Sequence, residues 1–289
     1  MPAATTHVAF AKDVLRLNRD IEKSISNYSM FALGSQGPDL LFFSRASILP
    51  GSLKKYGNLM HEHKVYEVIH YFEEYADNDP DLTSYIRGYL CHYALDSTVH
   101  PLVYAVTSSF CKDDHAKESE VHVGLEAEID VWVLHQRGLT ISDYNVYEDL
   151  KISNKDRKKL AGMYHAMFKD VLHLDIPVKS FEQTIMEISL WTAFLKPRKP
   201  VYNTIRVCEK LIGNHAFSNM MLCNKHDETI INVDHRHYTI PWHPNNIISL
   251  SFIDLYGKAF TKATELIKSH SRHDFILDFN GAPTQLQNK

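Results

Sequence analysis

One stretch in the first half of the chain limits the possible folds most strongly. It reads YIRGYLCHYALDSTVHPLVY and covers residues 85 to 104. Its helical part, from Tyr85 to Val99, carries apolar or aromatic residues on almost every face, which is typical of a helix buried in the middle of a protein. We therefore expect a compact chain built around one central helix.

Three ionisable side chains interrupt this apolar helix at a constant interval. His92, Asp96 and His100 stand four residues apart, and each four-residue step advances ~6 Å with only ~40° of rotation, so they share a face. Burying them is costly unless each is paired, hydrogen-bonded or bound to a metal. The outer two lie ~12 Å apart and cannot chelate one ion from a straight helix, which indicates two cations with Asp96 between them. Pro101 disfavours helical geometry at His100, so we expect that side chain to turn toward the second ion.

A second pair of candidate ligands follows in the segment EVHVGLEAEID. His122 and Glu126 are again four residues apart, a spacing that places their side chains next to each other on a helix. Together with His100 they form a set of two imidazoles and one carboxylate. Such a set suits zinc with an open position for water.

Three upstream motifs supply further candidates. Asp39 follows the turn-forming sequence GSQGP, where rigid backbone can aim its carboxylate; LMHEH offers His61 or His63; and His7 begins the first amphipathic helix. We favour His61 because it directly follows two apolar residues. Each element has an ordinary alternative, since an isolated HxxxD or HxxxE pair is usually solvated or hydrogen-bonded in a core. The joint order of all these motifs between His7 and Glu126 is what favours a metal site.

Helical periodicity dominates the rest of the chain, and long alternating strand patterns are absent. We predict an all-α fold, a compact multi-helix arrangement with a buried multi-metal cleft, in a single domain over residues 1–289. The metal-site region covers about residues 5–135, and a helical wall with a late loop covers about 150–273. The predicted helices cover residues 6–26, 60–76, 82–99, 117–137, 154–173, 180–195, 200–212 and 247–269.

Local signals refine these bounds. Ser180 and Gln183 have the spacing of a capping box, and Pro197 and Pro200 are expected to separate two helices. Residues 213–246 contain turn formers and little periodicity, so we predict a long surface loop containing a hairpin. A polar tail is predicted after residue 274.

Composition and charge exclude several classes of protein. The net charge is -4, and the basic clusters are short and separated, so no broad nucleic-acid-binding surface is indicated. The N-terminal residues lack the apolar run of an export signal, and no stretch approaches the ~20 apolar residues of a membrane span. The four cysteines have no CxxC spacing, which fits reduced thiols. We expect a cytoplasmic protein.

The motifs TTHVAFA, GSQGPDLLFF, LMHEH, GYLCHYALDSTVHP and HVGLEAEID together resemble the zinc-dependent phospholipase C family and, more distantly, the single-strand-specific zinc nucleases. The resemblance covers roughly residues 5–135 and implies an all-helical fold. It implies the following zinc ligands: Asp39, His61, His92 and Asp96 for one ion; His100, His122 and Glu126 for a second; and His7 with Asp96 for a third. Secreted members complete the third site with an N-terminal tryptophan, whereas this chain begins Met1-Pro2-Ala3. Two zinc ions are therefore expected, and the third is left open.

The resemblance also implies a function, the hydrolysis of a phosphodiester, with cleavage of a phospholipid headgroup as the first choice. The ions would clamp the phosphate oxygens and lower the pKa of water from ~15.7 toward ~7. Asp39 would bind a metal and orient the water or accept its proton, and Asp96 would bridge the ions. The alternatives are a zinc nuclease or nucleotidase with an aromatic side chain for base stacking, or a non-catalytic, metal-stabilised binding protein without an open coordination position.

Two sets of apolar or aromatic side chains have both a functional interpretation and an ordinary packing interpretation. Residues 40–43, LLFF, could form a lip for transient contact with a membrane surface, or they could pack in the core. Trp242 and Tyr238 could wall the pocket or surround a quaternary ammonium group through cation–π attraction, or they could pack in the ordinary way.

Overall fold

Helices make up most of the structure, as the sequence predicts. The computed structural model describes residues 4–47, 49–114, 117–194, 196, 199–212, 218 and 228–284. The α-helices are α1 (Ala4–Leu17), α2 (Arg19–Lys23), α3 (Tyr28–Gly34), α4 (Lys54–Glu62), α5 (Val65–Tyr75), α6 (Pro80–Asp114), α7 (Glu118–Gln136), α8 (Val146–Asp149), α9 (Asn154–Asp170), α10 (Val178–Phe194), α11 (Lys199–Ile212) and α12 (Phe252–Lys268). Short 3-10 segments cover Gly37–Ser47, Ile141–Asp143, Glu228–Ile231 and Arg272–Phe275. Among the described residues, the strands β1 (Tyr238–Ile240) and β2 (His243–Ile248) form one antiparallel hairpin.

The long helix α6 is the centre of the core, and α1, α3, α7 and α12 pack against it. It continues without interruption through Pro101, so the predicted departure from helical geometry at His100 is wrong. Pro101 removes one backbone donor from the helix, but its ring finds space against Gly281. A Cβ atom on Gly281 would lie only 2.5 Å from Pro101 Cγ.

Two glycines allow α3 and α6 to approach each other closely. A Cβ atom on Gly34 would lie 2.0 Å from the Tyr85 carbonyl oxygen, and one on Gly88 would lie 2.0 Å from the Phe31 carbonyl oxygen. No side chain fits between these backbones. The end of α3 is therefore pressed against the face of α6 that carries His92.

In the first half of the chain, several helices begin or end at residues other than the predicted ones. The predicted helix 6–26 is broken at Asn18, whose side-chain amide donates to the Val14 carbonyl at 2.9 Å. The predicted helix 60–76 is two helices, because Lys64 between them has a left-handed backbone with φ of 56°. Helix α6 is much longer than the predicted 82–99, and α3 was not predicted. Helix α7 agrees closely with its prediction.

In the second half, α9, α10 and α11 agree with the predictions within a few residues. The capping box at Ser180 is wrong, because α10 already begins at Val178. Pro197 lies outside the described residues, and Pro200 stands in the first turn of α11, where its missing N–H costs little. Helix α12 begins later than residue 247, and its capping box is formed by Ser251 and Asp254.

The prediction of a hairpin in the late loop is confirmed, whereas the prediction of a polar tail after residue 274 is partly wrong. The predicted hairpin is present at Tyr238–Ile248, whereas most of residues 213–227 lie outside the described residues. The predicted polar tail is wrong in its first part, because Phe275 and Phe279 are 3% and 0% exposed. Within the described ranges, no helix has the length and apolar character that crossing a membrane requires.

Candidate metal centre

Asp39, His61 and His92 form a buried cluster of potential ligands, called here the inner group. Their ligand atoms all lie within 4.8 Å of one another. His61 Nε2 is 3.1 Å from Asp39 Oδ1, and all three residues are buried. The cluster therefore offers two imidazole nitrogens and a carboxylate to one point in the protein interior.

The turn before Asp39 explains why this carboxylate faces His92. Gly37 has φ of +50°, and a Cβ atom there would lie 2.2 Å from His92 Cδ2. Glycine is thus required both for the left-handed backbone and for the space that the imidazole occupies. Asp39 then stands in the first turn of the 3-10 segment, where its N–H donates to the Gln36 carbonyl at 2.9 Å.

The two histidines of LMHEH lie in different environments. His61 is buried at the end of α4 and faces Asp39. His63 follows the helix, its side chain is 62% exposed, and its nearest acidic partner is Glu62 at 3.9 Å. The structure therefore brings His61, and not His63, to the inner group.

His100, His122 and Glu126 form a second cluster, called here the outer group, between α6 and α7. Glu126 Oε1 is 3.3 Å from Nε2 of both His100 and His122. The His122 side chain is 16% exposed, whereas that of His92 is fully buried. The outer group is thus the part of the centre that is closer to solvent.

Asp96 lies between the two groups and faces each with a different oxygen. Its Oδ2 is 2.9 Å from His92 Nε2 and 3.8 Å from His61 Nε2. Its Oδ1 is 3.6 Å from His100 Nε2 and 3.2 Å from His7 Nε2. Asp96 therefore lies between the inner and outer groups, and its place between two cations stays a prediction.

His7 joins the centre from the first turns of α1, and it forms a third cluster with His92 and Asp96. Its ring stacks on that of His92 with centroids 4.1 Å apart. The start of α1 is fixed by Asp130 on α7, which accepts hydrogen bonds from the Thr5 and Thr6 N–H groups at 3.2 and 2.8 Å and from the Thr6 hydroxyl at 2.6 Å. These bonds hold His7 in place over His92.

Backbone carbonyls orient three of the imidazoles. The Nδ1 atoms of His61, His92 and His100 lie 2.8, 3.0 and 2.9 Å from the carbonyl oxygens of Gly57, Ser35 and Phe279, respectively. When Nδ1 donates to a carbonyl, the lone pair of Nε2 is left free for a metal. In all three residues Nε2 is the nitrogen that faces the carboxylates.

The donor set fits zinc. His92 Nε2 and Asp96 Oδ2 are buried and lie 2.9 Å apart, yet neither forms a hydrogen bond among the described residues, a costly state that a cation between them would relieve. Burial raises the pKa of Asp96, but the nearby His100, His92 and His7 hold it well below its usual value. Burial lowers the pKa of His100, yet Asp96 and Glu126 raise it to about 9. Nitrogen and carboxylate oxygen are ligands that zinc commonly takes.

We did not predict from the sequence that Phe279 and Asn280 contact the residues of this site. The aromatic ring of Phe279 lies 5.3 Å from that of His61 and 5.6 Å from that of His92, centroid to centroid. Asn280 accepts a hydrogen bond from the Tyr104 hydroxyl at 3.2 Å. The one available signal was the apolar Phe-Ile-Leu-Asp-Phe run at 275–279, which a polar tail would not contain.

The apolar residues proposed for a membrane lip are mostly in the core. Leu40 and Leu41 are fully buried and Phe43 is 3% exposed, so the lip interpretation is wrong for these three. Phe42 is half-buried, and its ring lies 5.4 Å from that of His61.

The two aromatic residues of the late loop have different neighbours in the structure. Trp242 stacks edge-on against Tyr104, whose ring lies 4.7 Å from His122, so it lies beside the outer group. Tyr238 packs against the hydrophobic core.

A helical protein whose central helix carries buried imidazole and carboxylate groups at metal-binding spacing belongs to the class of helical proteins with potential zinc sites. The family model of the zinc-dependent phospholipase C proteins matches residues 6–173, which include every residue of the three clusters, and the chain belongs to this family. The family predicted from the sequence motifs is thereby confirmed. No curated protein and no solved structure gives a significant match.

Proposed function

We propose that the protein is a zinc-dependent hydrolase that cleaves a phosphodiester bond in the headgroup of a phospholipid. The observation that carries the proposal is the buried set of three ligand clusters on a chain of the zinc-dependent phospholipase C family. We assign the ligand roles to His7, Asp39, His61, His92, Asp96, His100, His122 and Glu126.

Two resident ions agree best with the way the ligands are shared. The inner group with Asp96 supplies four ligands, and the outer group supplies three, which leaves a position for water or substrate. The third cluster reuses His92 and Asp96, so His7 is its only own ligand. Zinc at these positions would supply Lewis acidity toward phosphate oxygens and a lowered pKa for water.

The protein side chains then have separate tasks. Asp39 stays ionised, because neighbouring positive charge overcomes the effect of burial and lowers its pKa; its carboxylate therefore binds the inner ion and orients the attacking water by accepting a hydrogen bond from it. Asp96 fixes the distance between the two groups, since each of its oxygens faces one of them. The carbonyls of Gly57, Ser35 and Phe279 hold the imidazoles in the metal-binding orientation.

A second candidate function, hydrolysis of single-stranded nucleic acid or 3′-nucleotides, has one observation in its favour. Tyr104 and Trp242 lie beside the outer group, and such aromatic rings can stack on a nucleobase. The net charge of -4 argues for the lipid, because a nucleic-acid backbone is usually received by a positive surface.

The test is to measure zinc content and hydrolysis for the wild type and for Asp96→Asn. Asp156→Asn on α9 is the matched control, because Asp156 is also a buried carboxylate but accepts from Ser153 and Asn27, away from the ligand clusters. Asp96→Asn should lose zinc and lower turnover of phosphatidylcholine vesicles by more than the ~10–100-fold typical of an outer-shell change. Unchanged zinc content and unchanged turnover in Asp96→Asn would remove the bridging role.

The substrate is decided in the same assay. Turnover of phosphatidylcholine with little turnover of single-stranded DNA or 3′-nucleotides supports the lipid. The reverse order of rates supports the nuclease, and bound zinc without turnover of any diester supports the non-catalytic protein.

A further inference from the structure

Residues 276–284 form a small closed loop, called here the C-terminal clasp. Asp278 N–H donates to the Ala282 carbonyl at 2.8 Å, and Ala282 N–H donates back to Asp278 Oδ1 at 2.9 Å. Leu277 and Pro283 form an antiparallel bridge, and Thr284 N–H donates to the Ile276 carbonyl at 2.8 Å. The clasp lies outside residues 6–173, the part of the chain that the family model matches.

Two contacts with helix α6 lie on either side of the clasp apex. Gly281 has φ of +76° and packs so tightly on Pro101 that a Cβ atom would lie 2.5 Å from Cγ, 2.8 Å from Cδ and 2.9 Å from the Ser97 carbonyl oxygen. About two turns before Pro101, the Tyr93 hydroxyl donates to the Leu277 carbonyl at 2.9 Å. The clasp is thus fixed on both sides of its apex.

The apex residue, Phe279, bonds to one ligand of each group through its own backbone. Its N–H donates to the carbonyl oxygen of His61 at 3.0 Å, and its carbonyl accepts from Nδ1 of His100 at 2.9 Å. Its side chain is fully buried. One residue therefore touches the inner group with its N–H and the outer group with its C=O.

We propose that the C-terminal clasp is the positioning element of the outer group and that the Phe279 carbonyl sets the zinc affinity of that group through His100. This inference rests on the proposed occupation of the site by zinc. The carbonyl occupies Nδ1 of His100, so that Nε2, which lies 3.3 Å from Glu126 Oε1, is the nitrogen offered to zinc. Loss of such an outer-shell partner typically costs ~10–100-fold in metal affinity. His122 shows the contrast, because its Nδ1 has no hydrogen-bond partner among the described residues, so the orientation of the outer group depends on His100.

The first test displaces the clasp without changing a ligand. Gly281→Ala places a methyl group against Pro101 and forces a non-glycine residue to a positive φ. Gly138→Ala is the matched control, since Gly138 has φ of +67° and nothing within 4 Å of its Cβ position. Zinc affinity is measured by competition with a chromophoric chelator, and zinc equivalents per chain are counted at fixed free zinc. We expect about one equivalent in Gly281→Ala to bind ~10–100-fold more weakly, with Gly138→Ala unchanged. Wild-type affinity at every site in a folded Gly281→Ala variant would overturn the proposal.

A second pair of variants keeps the test decisive if Gly281→Ala does not fold. Tyr93→Phe removes the hydroxyl that holds Leu277, and Tyr85→Phe removes a buried hydroxyl on the same helix whose one hydrogen-bond partner in the described part of the chain is Tyr164. Tyr93→Phe should weaken the same zinc equivalent and change the visible spectrum of the cobalt-substituted protein, whereas Tyr85→Phe should do neither. Equal zinc affinities in the two variants would contradict the role of the clasp. Failure of the proposed function is distinct, because it would appear as wild-type protein that binds zinc but hydrolyses no diester.

Discussion

The inner and outer groups have similar ligands but are held by different parts of the chain. In the inner group, the carbonyls that orient His61 and His92 belong to Gly57 and Ser35, both within the region that the family model matches. In the outer group, the orienting carbonyl belongs to Phe279, 179 residues after His100. The inner group is also more deeply buried.

This difference predicts different binding properties for the ions of the inner and outer groups. A ligand set that is buried and held by neighbouring segments is rigid and shielded from water, whereas a set that depends on a distant segment is lost when that segment opens locally. We therefore expect the inner ion to bind more tightly and the outer ion to exchange faster and to meet the substrate. If a chelator removed both ions at the same rate, this expected difference between the inner and outer ions would be wrong.

The largest expected effect comes from removing a ligand of the outer group. His122→Ala should abolish the outer ion and lower turnover by more than the ~100-fold upper value for an outer-shell change, while the inner ion stays bound. Zinc equivalents per chain and turnover measured on the same sample check this result. His135→Ala is the control, because His135 lies in the last turn of the same helix, α7, and outside the ligand clusters. Loss of both ions in His122→Ala would show that the groups are not separable.

A smaller effect is expected from a change beside the inner group. Gly37→Ala would place a methyl group within 2.2 Å of the His92 ring at a residue with φ of +50°, so we expect ~10–100-fold weaker binding of the inner ion, as for other supporting residues. Gly51→Ala is the matched control, because Gly51 also has a positive φ of +81° but its nearest neighbours, atoms of Arg45, lie 3.6 Å or more away. If Gly37→Ala weakened the outer ion instead, the assignment of Gly37 to the inner group would be wrong.

The ligands of both groups are easier to predict from the sequence than the segments that support them. Ligands spaced four residues apart on one helix, such as His92 and Asp96 or His122 and Glu126, are readable because helical geometry fixes their relation. The choice of His61 over His63 follows from burial beside apolar neighbours. The helical fold class is predictable for the same reason, since periodicity is a local property.

The features that we did not predict depend on contacts between segments that are distant in the sequence. Nothing local to Phe279 shows that its backbone meets His61 and His100, and a short segment between a helix and the chain end has no periodicity from which to predict its burial. The helical path through Pro101 was missed for a related reason, because the residue that makes room for its ring, Gly281, lies 180 positions away. A sequence pattern cannot indicate a compensation that arises only in the packed chain.

The smallest expected effect concerns the third cluster, which links the two halves of the comparison. Thr6→Val removes the hydroxyl that donates to Asp130 at 2.6 Å and should lower the free energy of unfolding by about 1 kcal/mol, the usual value for one buried hydrogen bond. Thr107→Val is the matched control, because the Thr107 hydroxyl is equally buried but has no hydrogen-bond partner among the described residues, so its loss should cost nothing. Chemical unfolding of the metal-free variants measures both. Because His7 is only one of the residues that face Asp96, Thr6→Val should leave the affinities of the inner and outer ions unchanged; a clear loss at either group would mean that the start of α1 supports that group directly.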